Sequence, residues 1–255
     1  MSANFGNDPE FHDPIPKPGA GRKLRIAEIL LVLGILVVLI GLLLPAHRSA
    51  RPAAWRSQCT HNMKLIGLAL SNYEQVYGFL PPAYTVDTEG RPLHSWRTLI
   101  LPYLEYESLY LSIDLSKPWN DPTNAQALET SLPVFHCPDG VGRQNTTTYL
   151  AISAPNGCFH SNKPRRLAEI TDGRASTVMV IEAGEENAVP WMAPVDADEA
   201  LVIGLGPSSK LHHAGGVNAC FVDGSVRFLK AQMPAKARRA IISISGNDDD
   251  AGDRF

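Results

Sequence analysis

The residues best suited to chemistry in this sequence are four cysteines. They are Cys59, Cys137, Cys158 and Cys220, and no two of them form a CxxC pair. The spacings of zinc ribbons and thioredoxins are therefore absent. Two interpretations stay open: two disulfides in an oxidising compartment, or four buried thiols in a cytosolic domain.

A nucleophilic cysteine is the first catalytic hypothesis that these residues raise. His136 directly precedes Cys137, and a histidine beside a thiol can act as its base. A working nucleophile also needs a third group that orients the base, and the sequence identifies none. We therefore predict that the protein is not an enzyme and that it has no catalytic residues and no cofactor.

A histidine pair precedes the most regular stretch of the chain. His213 is followed by nine residues and then by Asp223 and Gly224. Apolar residues alternate over 217–221 and again over 226–228, which predicts a β-hairpin with a type I′ turn at Asp-Gly.

Two roles compete for these histidines. His212 and His213 could face a metal, or His213 could bond a neighbouring loop and fix Gly215 and Gly216. Adjacent residues on a strand point to opposite faces, so a metal bound by both would have poor geometry. We favour the structural role and predict no metal site.

A ligand or metal site remains the alternative to a purely structural role. It would combine His136, Cys137, His212 and His213 with acidic side chains from the region 182–204. We expect that region to be a solvated loop, because it has no ordered oxygen-ligand pattern of the EF-hand type. Its acids are Glu182, Glu185, Glu186, Asp196, Asp198 and Glu199.

A long apolar run near the N-terminus must position everything that follows. Residues 26–46 carry one charge, Glu28, and a helix of this length is about 30 Å long, the thickness of a bilayer core. We predict a transmembrane helix over residues 23–46. Glu28 either pairs with the N-terminus of a neighbouring subunit or lies at headgroup level near Arg22 or Arg25.

The pattern becomes amphipathic beyond the apolar run, which predicts a helical continuation over residues 47–82. Pro45 and Pro52 are expected to kink or break it, and Gly78 to end it. The layout is then a disordered cytoplasmic leader (1–22), the span, this continuation, a globular α+β head (83–246) and an acidic disordered tail (247–255).

Two strands are predicted within the head besides the hairpin. The runs 146–153 and 177–182 are rich in β-branched and aromatic residues. Short helices are expected over 125–130 and 235–242, and a tight turn at Asp172 and Gly173.

Several motifs together resemble one bacterial family. They are Glu28 within its apolar run, the segment from Cys59 to Ala69, the end from Tyr77 to Pro82, the segment from Ser95 to Glu105, the Phe-x-Cys-Pro element at 135–138, and His213 with Asp223-Gly224. The first helix resembles that of type IV pilins and type II secretion pseudopilins. More closely, the chain is similar to the pilin-like family known as domain of unknown function 1559.

The resemblance implies a fold, a pairing and a processing site. It implies an α+β, pilin-like fold with a long N-terminal helix packed on a mainly antiparallel sheet, and it makes Cys137 the partner of Cys59. The family has a glycine before its cleavage point and a phenylalanine after it, whereas this chain has Lys23 and Leu24. Cleavage before Leu24 and retention of the leader both stay open.

The expected function is structural. A formal net charge of -3 and 19% charged residues give no basic face, so nucleic acid is excluded as a partner. We predict a single-pass inner-membrane protein with its head in the periplasm or outside the cell. Its partners would be the lipid bilayer and homologous pilin-like subunits.

Overall fold

The computed structural model describes residues 25–246, without the side chains of residues 43–50. The predicted leader (1–22), Lys23, Leu24, the side chain of Pro45 and the predicted tail (247–255) lie outside the described residues. The chain divides into two compact units, Met1–Arg48 and Ser49–Phe255.

The described residues contain one long helix and five short ones: α1 (Ile26–Tyr77), α2 (Trp96–Leu99), α3 (Glu107–Leu111), α4 (Ala125–Leu128), α5 (Glu199–Gly204) and α6 (Ala235–Ile242). Five short 3₁₀ turns lie between these helices and the strands of the described residues: Leu101–Leu104, Pro122–Asn124, Pro133–Phe135, Leu167–Glu169 and Glu185–Asn187. The predicted helices near 125–130 and at 235–242 are found as α4 and α6.

Eight short strands form three antiparallel sheets in the described residues. They are β1 (Tyr84–Val86), β2 (Pro92–Ser95), β3 (Thr146–Thr147), β4 (Tyr149–Ala151), β5 (Val178–Glu182), β6 (Val189–Pro190), β7 (Gly216–Phe221) and β8 (Val226–Lys230). β1 pairs with β2 and β3 with β6, and the main sheet has the order β4-β5-β7-β8. The predicted α+β class with antiparallel sheets and an N-terminal helix is confirmed.

The main sheet is buried on both faces. On one face, Tyr149 and Cys220 belong to an apolar core that includes Ile66 of α1. On the other face, Leu150 and Phe221 pack into a second core with Val202 of α5 and Ile241 of α6. Along β4 and β7, apolar side chains alternate between these two cores, because a strand turns successive side chains to opposite faces.

The helix α1 continues through both prolines, so the predicted break at either of them is wrong. The helix is continuous from Ile26 to Tyr77, across Pro45 and Pro52. A proline removes one backbone donor, but strong helix formers such as Ala53 and Ala54 follow Pro52 and continue the helix. The helix ends at Tyr77, where Gly78 takes a φ of +78° and donates its N–H to the Glu74 carbonyl at 2.7 Å. This is the predicted glycine stop.

The first part of α1 exposes its apolar side chains. Leu33 and Val37 are 49% and 66% exposed, and their apolar neighbours from Ile26 to Leu42 are comparably open. No helix, as far as its side chains are described within residues 25–246, has both the length and the apolarity needed to cross a membrane. The predicted span, residues 23–46, begins and ends outside those described side chains.

The second part of α1 packs closely on the C-terminal hairpin. Cys59, Met63 and Ile66 are fully buried. At Gly67 a Cβ would lie 2.8 Å from Cys220 Sγ and 3.7 Å from Gly224 Cα, so glycine allows the helix to approach β7 and its turn.

The C-terminal hairpin forms as predicted, but with another turn. β7 pairs with β8 in the register Val217 to Leu229. Among the described residues other than glycine only Glu105 has a positive φ, so Asp223 does not adopt the type I′ conformation. Gly224 (φ +79°) follows a turn closed by its N–H to the Phe221 carbonyl, giving a three-residue loop with a glycine bulge.

Candidate functional site

Four buried side chains from distant parts of the sequence meet against one face of the main sheet. They are Cys59, Cys137, Glu182 and His213. The thiol sulfurs, a carboxylate oxygen and a ring nitrogen of the four all lie within 4.8 Å of one another. Each residue is at most 5% exposed. This group is called the Cys-Glu-His cluster below.

Each member of the cluster is held by a different element. Cys59 lies on α1, and Glu182 is the last residue of β5, where it pairs with Tyr149 across the sheet. Cys137 follows the 3₁₀ turn Pro133–Phe135. His213 precedes β7 and forms an isolated bridge with Gly216.

An asparagine on α1 fixes the segment that carries Cys137. The side-chain N–H groups of Asn62 donate to the carbonyls of Pro133 at 3.0 Å and His136 at 3.2 Å. Asn62 is three residues after Cys59, so one turn of α1 supplies both Cys59 and the side chain that holds the Cys137 segment in place.

The distances within the cluster are short. Cys59 Sγ lies 2.9 Å from Cys137 Sγ, and Cys137 Sγ lies 4.0 Å from His213 Nε2. His213 Nε2 is 3.3 Å from Glu182 Oε1. The other carboxylate oxygen, Oε2, accepts hydrogen bonds from the side-chain N–H of Asn218 at 2.7 Å and its backbone N–H at 3.4 Å.

The cluster couples the protonation of its members. The hydrogen bond with Cys59, and then burial, raise the pKa of Cys137, so its thiol is neutral. Burial lowers the pKa of His213, but the contacts with Cys137 and Glu182 outweigh burial and raise this pKa to about 9. Burial likewise opposes ionisation of Glu182, and His213 and Asn218 outweigh it and lower the pKa of the carboxyl.

Two buried oxygens at the cluster have no hydrogen-bond partner. One is Glu182 Oε1, although His213 Nε2 is only 3.3 Å away, so the N–H direction of the ring does not point at this oxygen. The other is the hydroxyl of Tyr149, whose pKa is raised by burial and by the nearby charge of Glu182. Buried polar atoms without partners are uncommon in folded proteins and call for an explanation.

The geometry argues against a catalytic triad. In a triad, the nucleophile and the orienting acid contact different ring nitrogens of the histidine. Here Cys137 and Glu182 both approach Nε2 of His213. Reactive cysteines also have a lowered pKa and partial exposure, whereas Cys137 is buried and its pKa is raised.

The other residues of the alternative ligand-site hypothesis do not join the cluster. His136, His212 and Glu185 line a small neighbouring pocket, which Cys137 of the cluster also lines. His212 Nε2 lies 3.4 Å from Glu185 Oε2. Asp223 is in the hairpin turn, where its side chain accepts from the N–H and hydroxyl of Ser225.

The four cysteines are free thiols that lie as two neighbouring pairs. The predicted partners Cys59 and Cys137 are adjacent, at a sulfur separation longer than the 2.05 Å or so of a disulfide. Burial raises the pKa of Cys158, and a nearby Cys220 contributes. The pairing of these cysteines stays a prediction.

The expectation that the acids of 182–204 are solvated is wrong for two of them. Glu182 is in the cluster, and Asp196 forms a buried ion pair with Arg97, whose Nη2 lies 2.6 Å from Oδ1. The same oxygen accepts from Trp96 Nε1 at 3.0 Å and from the Ala151 N–H at 2.9 Å. Three donors offset only part of the cost of removing this carboxylate from water, because burial still raises the pKa of Asp196.

The fold and the site together define a class of protein. The protein is an α+β protein with a long N-terminal helix and a buried Cys-Glu-His cluster. Residues 48–154 match the model of the family described as a protein of unknown function (DUF1559), which confirms the resemblance predicted from the sequence. The matched segment contains Cys59 and Cys137 of the cluster. No curated protein and no solved structure matches the chain.

Proposed function

We propose that the protein is a single-pass, membrane-anchored structural or interaction protein of the pilin-like kind, with its α+β unit outside the cytoplasm. The observation that carries the proposal is the exposed apolar surface around the first part of α1. Large apolar side chains from Ile26 to Leu42 are exposed on every side of the helix. A helix that is hydrophobic all round needs an apolar surrounding, which lipid or the helices of other subunits would supply.

The charge near the start of α1 fits such an anchor. The backbone N–H of Arg25 donates to Glu28 Oε2 at 3.3 Å, so the carboxylate interacts with the first turn of its own helix. This local contact favours a position near headgroup level, where a carboxylate remains close to water. It also leaves Glu28 available to a neighbouring subunit.

The site geometry supports a structural role over an enzymatic one. The Cys-Glu-His cluster is closed to solvent, and its histidine has no separate orienting acid. Cys137 is 3% exposed and borders a small pocket beside the cluster. The proposal therefore assigns the α+β unit to protein interactions.

Charged pairs introduced on α1 test the anchor. We expect the wild-type chain to sediment with membranes and to resist an alkaline carbonate wash. Leu33→Arg with Val37→Arg should release or destabilise the anchor, because each charge costs about 2.5–3.5 kcal/mol near the bilayer centre. The matched control is Leu68→Arg with Val76→Arg, a pair on the same helix that is 58% and 64% exposed.

The measurement is the fraction of chain in the washed membrane pellet, by immunoblot. The control pair should remain in the pellet like the wild type. A wild-type chain found in the soluble fraction, or identical behaviour of the two pairs, would contradict the anchor.

The N-terminus of the mature chain is the second test. We expect Met1 or Ser2, because Lys23 occupies the position at which the family has the glycine preceding the cleavage point. N-terminal sequencing of the protein purified from membranes measures this directly. Leu24 as the first residue would instead show cleavage and an anchor without its leader.

A further inference from the structure

The Cys-Glu-His cluster brings together four potential metal ligands, which proteins rarely bury side by side without a group that all of them contact. One thiol comes from α1 and the other from the segment after Pro133–Phe135. The carboxylate comes from β5 and the imidazole from the segment before β7. Three of these four groups are negatively charged at neutral pH or become so on binding a metal: the carboxylate and the two thiols. Burying them costs free energy unless they are paired or coordinate an ion.

We propose that Cys59, Cys137, Glu182 and His213 bind one zinc ion. Thiolate, imidazole and carboxylate are the ligands that zinc takes in proteins, and four protein ligands make a closed structural site. Zinc bonds of about 2.0 Å to nitrogen or oxygen and about 2.3 Å to sulfur place tetrahedral ligand atoms about 3.3–3.8 Å apart. The observed separations of 2.9, 4.0 and 3.3 Å lie around that range.

The unpartnered oxygen of Glu182 supports the site independently. Oε1 has no aligned donor although His213 Nε2 is 3.3 Å away. Two side chains that bind the same ion lie close together without a hydrogen bond between them, because each directs its lone pair at the metal and not at the other ligand. Zinc at the centre would satisfy Oε1.

The surroundings of Glu182 resemble the outer shell of a metal site. Asn218 holds Oε2 through two N–H donors, which leaves Oε1 directed at the cluster. The hydroxyl of Thr60, on α1, in turn donates to the side-chain oxygen of Asn218 at 3.3 Å. Hydrogen bonds of this kind orient metal ligands and tune their affinity.

A disulfide between Cys59 and Cys137 is the competing explanation. It would require the sulfurs to approach by about 0.9 Å, whereas a tetrahedral zinc site would require them to separate by about as much. A disulfide has no use for an ionised carboxylate, so it would leave Oε1 of Glu182 without a partner. The zinc site uses all four side chains.

Metal content tests the proposal directly. The full-length chain, purified in a thiol reductant from whichever fraction contains it, should hold about one zinc per chain by elemental mass spectrometry. His213→Gln and Cys59→Ser should each lose this stoichiometric zinc. Asn218→Ala should retain the ligands and weaken zinc affinity by about 10- to 100-fold.

The chain provides matched controls for the histidine and cysteine ligands. His212→Gln removes the adjacent histidine, and Cys158→Ser removes a buried thiol outside the cluster. Both should retain zinc as the wild type does.

A ligand variant can fail to fold, so the wild-type chain supplies a second readout. Replacing zinc with Co²⁺ should produce thiolate-to-cobalt charge-transfer absorption, and X-ray absorption should show two sulfur and two nitrogen or oxygen neighbours. A reduced wild-type chain that takes up no zinc, zinc that is equally retained in folded His213→Gln, or cobalt without thiolate bands would overturn the proposal. These readouts do not depend on whether the chain is anchored in a membrane.

Discussion

Replacing Arg97 by methionine is expected to lower the free energy of unfolding by about 3–5 kcal/mol. The Arg97 side chain is fully buried, and its partner carboxylate on Asp196 is 3% exposed. Methionine fills much of the volume but leaves the carboxylate without its cation. Arg97 also donates to the Tyr149 carbonyl through Nε at 3.1 Å and to Ser95 Oγ through Nη1 at 2.7 Å, so both bonds disappear with it.

An exposed ion pair with the same nitrogen-to-oxygen distance is the matched control. Arg91 Nε lies 2.6 Å from Asp87 Oδ2, the same separation as in the buried pair, but the Arg91 side chain is 70% exposed. Arg91→Met should change stability by less than about 1 kcal/mol, because water screens exposed ion pairs. Denaturant unfolding of the full-length chain, followed by tryptophan fluorescence, compares the two variants.

A double replacement separates the ion pair from simple packing. Arg97→Met with Asp196→Leu removes both charges and should recover part of the loss, since two apolar side chains leave no unpaired ion. Equal losses for Arg97→Met and Arg91→Met would contradict the importance assigned to burial.

Gly216→Ala is expected to have the second large effect. A Cβ at Gly216 would overlap the Leu229 carbonyl oxygen and two carbons of the Phe228 ring, at 2.8 and 2.9 Å. Gly216 pairs with Lys230 in the hairpin, so relief of the overlap would require β7 and β8 to move apart. We expect a loss of about 3 kcal/mol or more in unfolding free energy.

The neighbouring glycine gives the control. Gly215 has a φ of +85° with nothing within 4 Å of a Cβ, so Gly215→Ala has a backbone cost of about 1–2 kcal/mol and no overlap. Unfolding midpoints of the two variants measure the difference. A Gly215→Ala variant that is less stable than Gly216→Ala would show that backbone conformation, not close contact, controls this region.

The local elements were predictable because short patterns determine them. Alternation over 217–221 predicted β7, and a run of β-branched residues predicted β5, since these patterns fit a pleated, buried surface. Gly78 ended α1 because glycine reaches positive φ without strain. The turn type was wrong because Asp-Gly also fits a three-residue loop, in which only Gly224 has positive φ.

The site was less predictable because its contacts are distant in sequence. His213 and Cys137 were singled out, but the partner of each depends on strand register and on the packing of α1. Glu182 was assigned to an acidic loop, although an acid at the end of the apolar strand 178–182 was the available signal. Nothing near Arg97 indicates that its partner is Asp196, which only the folded chain brings within 2.6 Å.

The packing of α1 on the last hairpin has a consequence for synthesis. The buried side of α1 faces β7 and its turn, through Gly67 against Cys220 and Gly224, and the Arg56 guanidinium lies 4.9 Å from the centre of the Phe228 ring. The helix α1 ends at Tyr77 and β7 begins at Gly216, so a ribosome makes α1 well before the strands that cover it, and these long-range contacts must wait until both are made. Until then a nascent chain would expose the apolar side of α1, and chaperone protection during that interval would limit its aggregation.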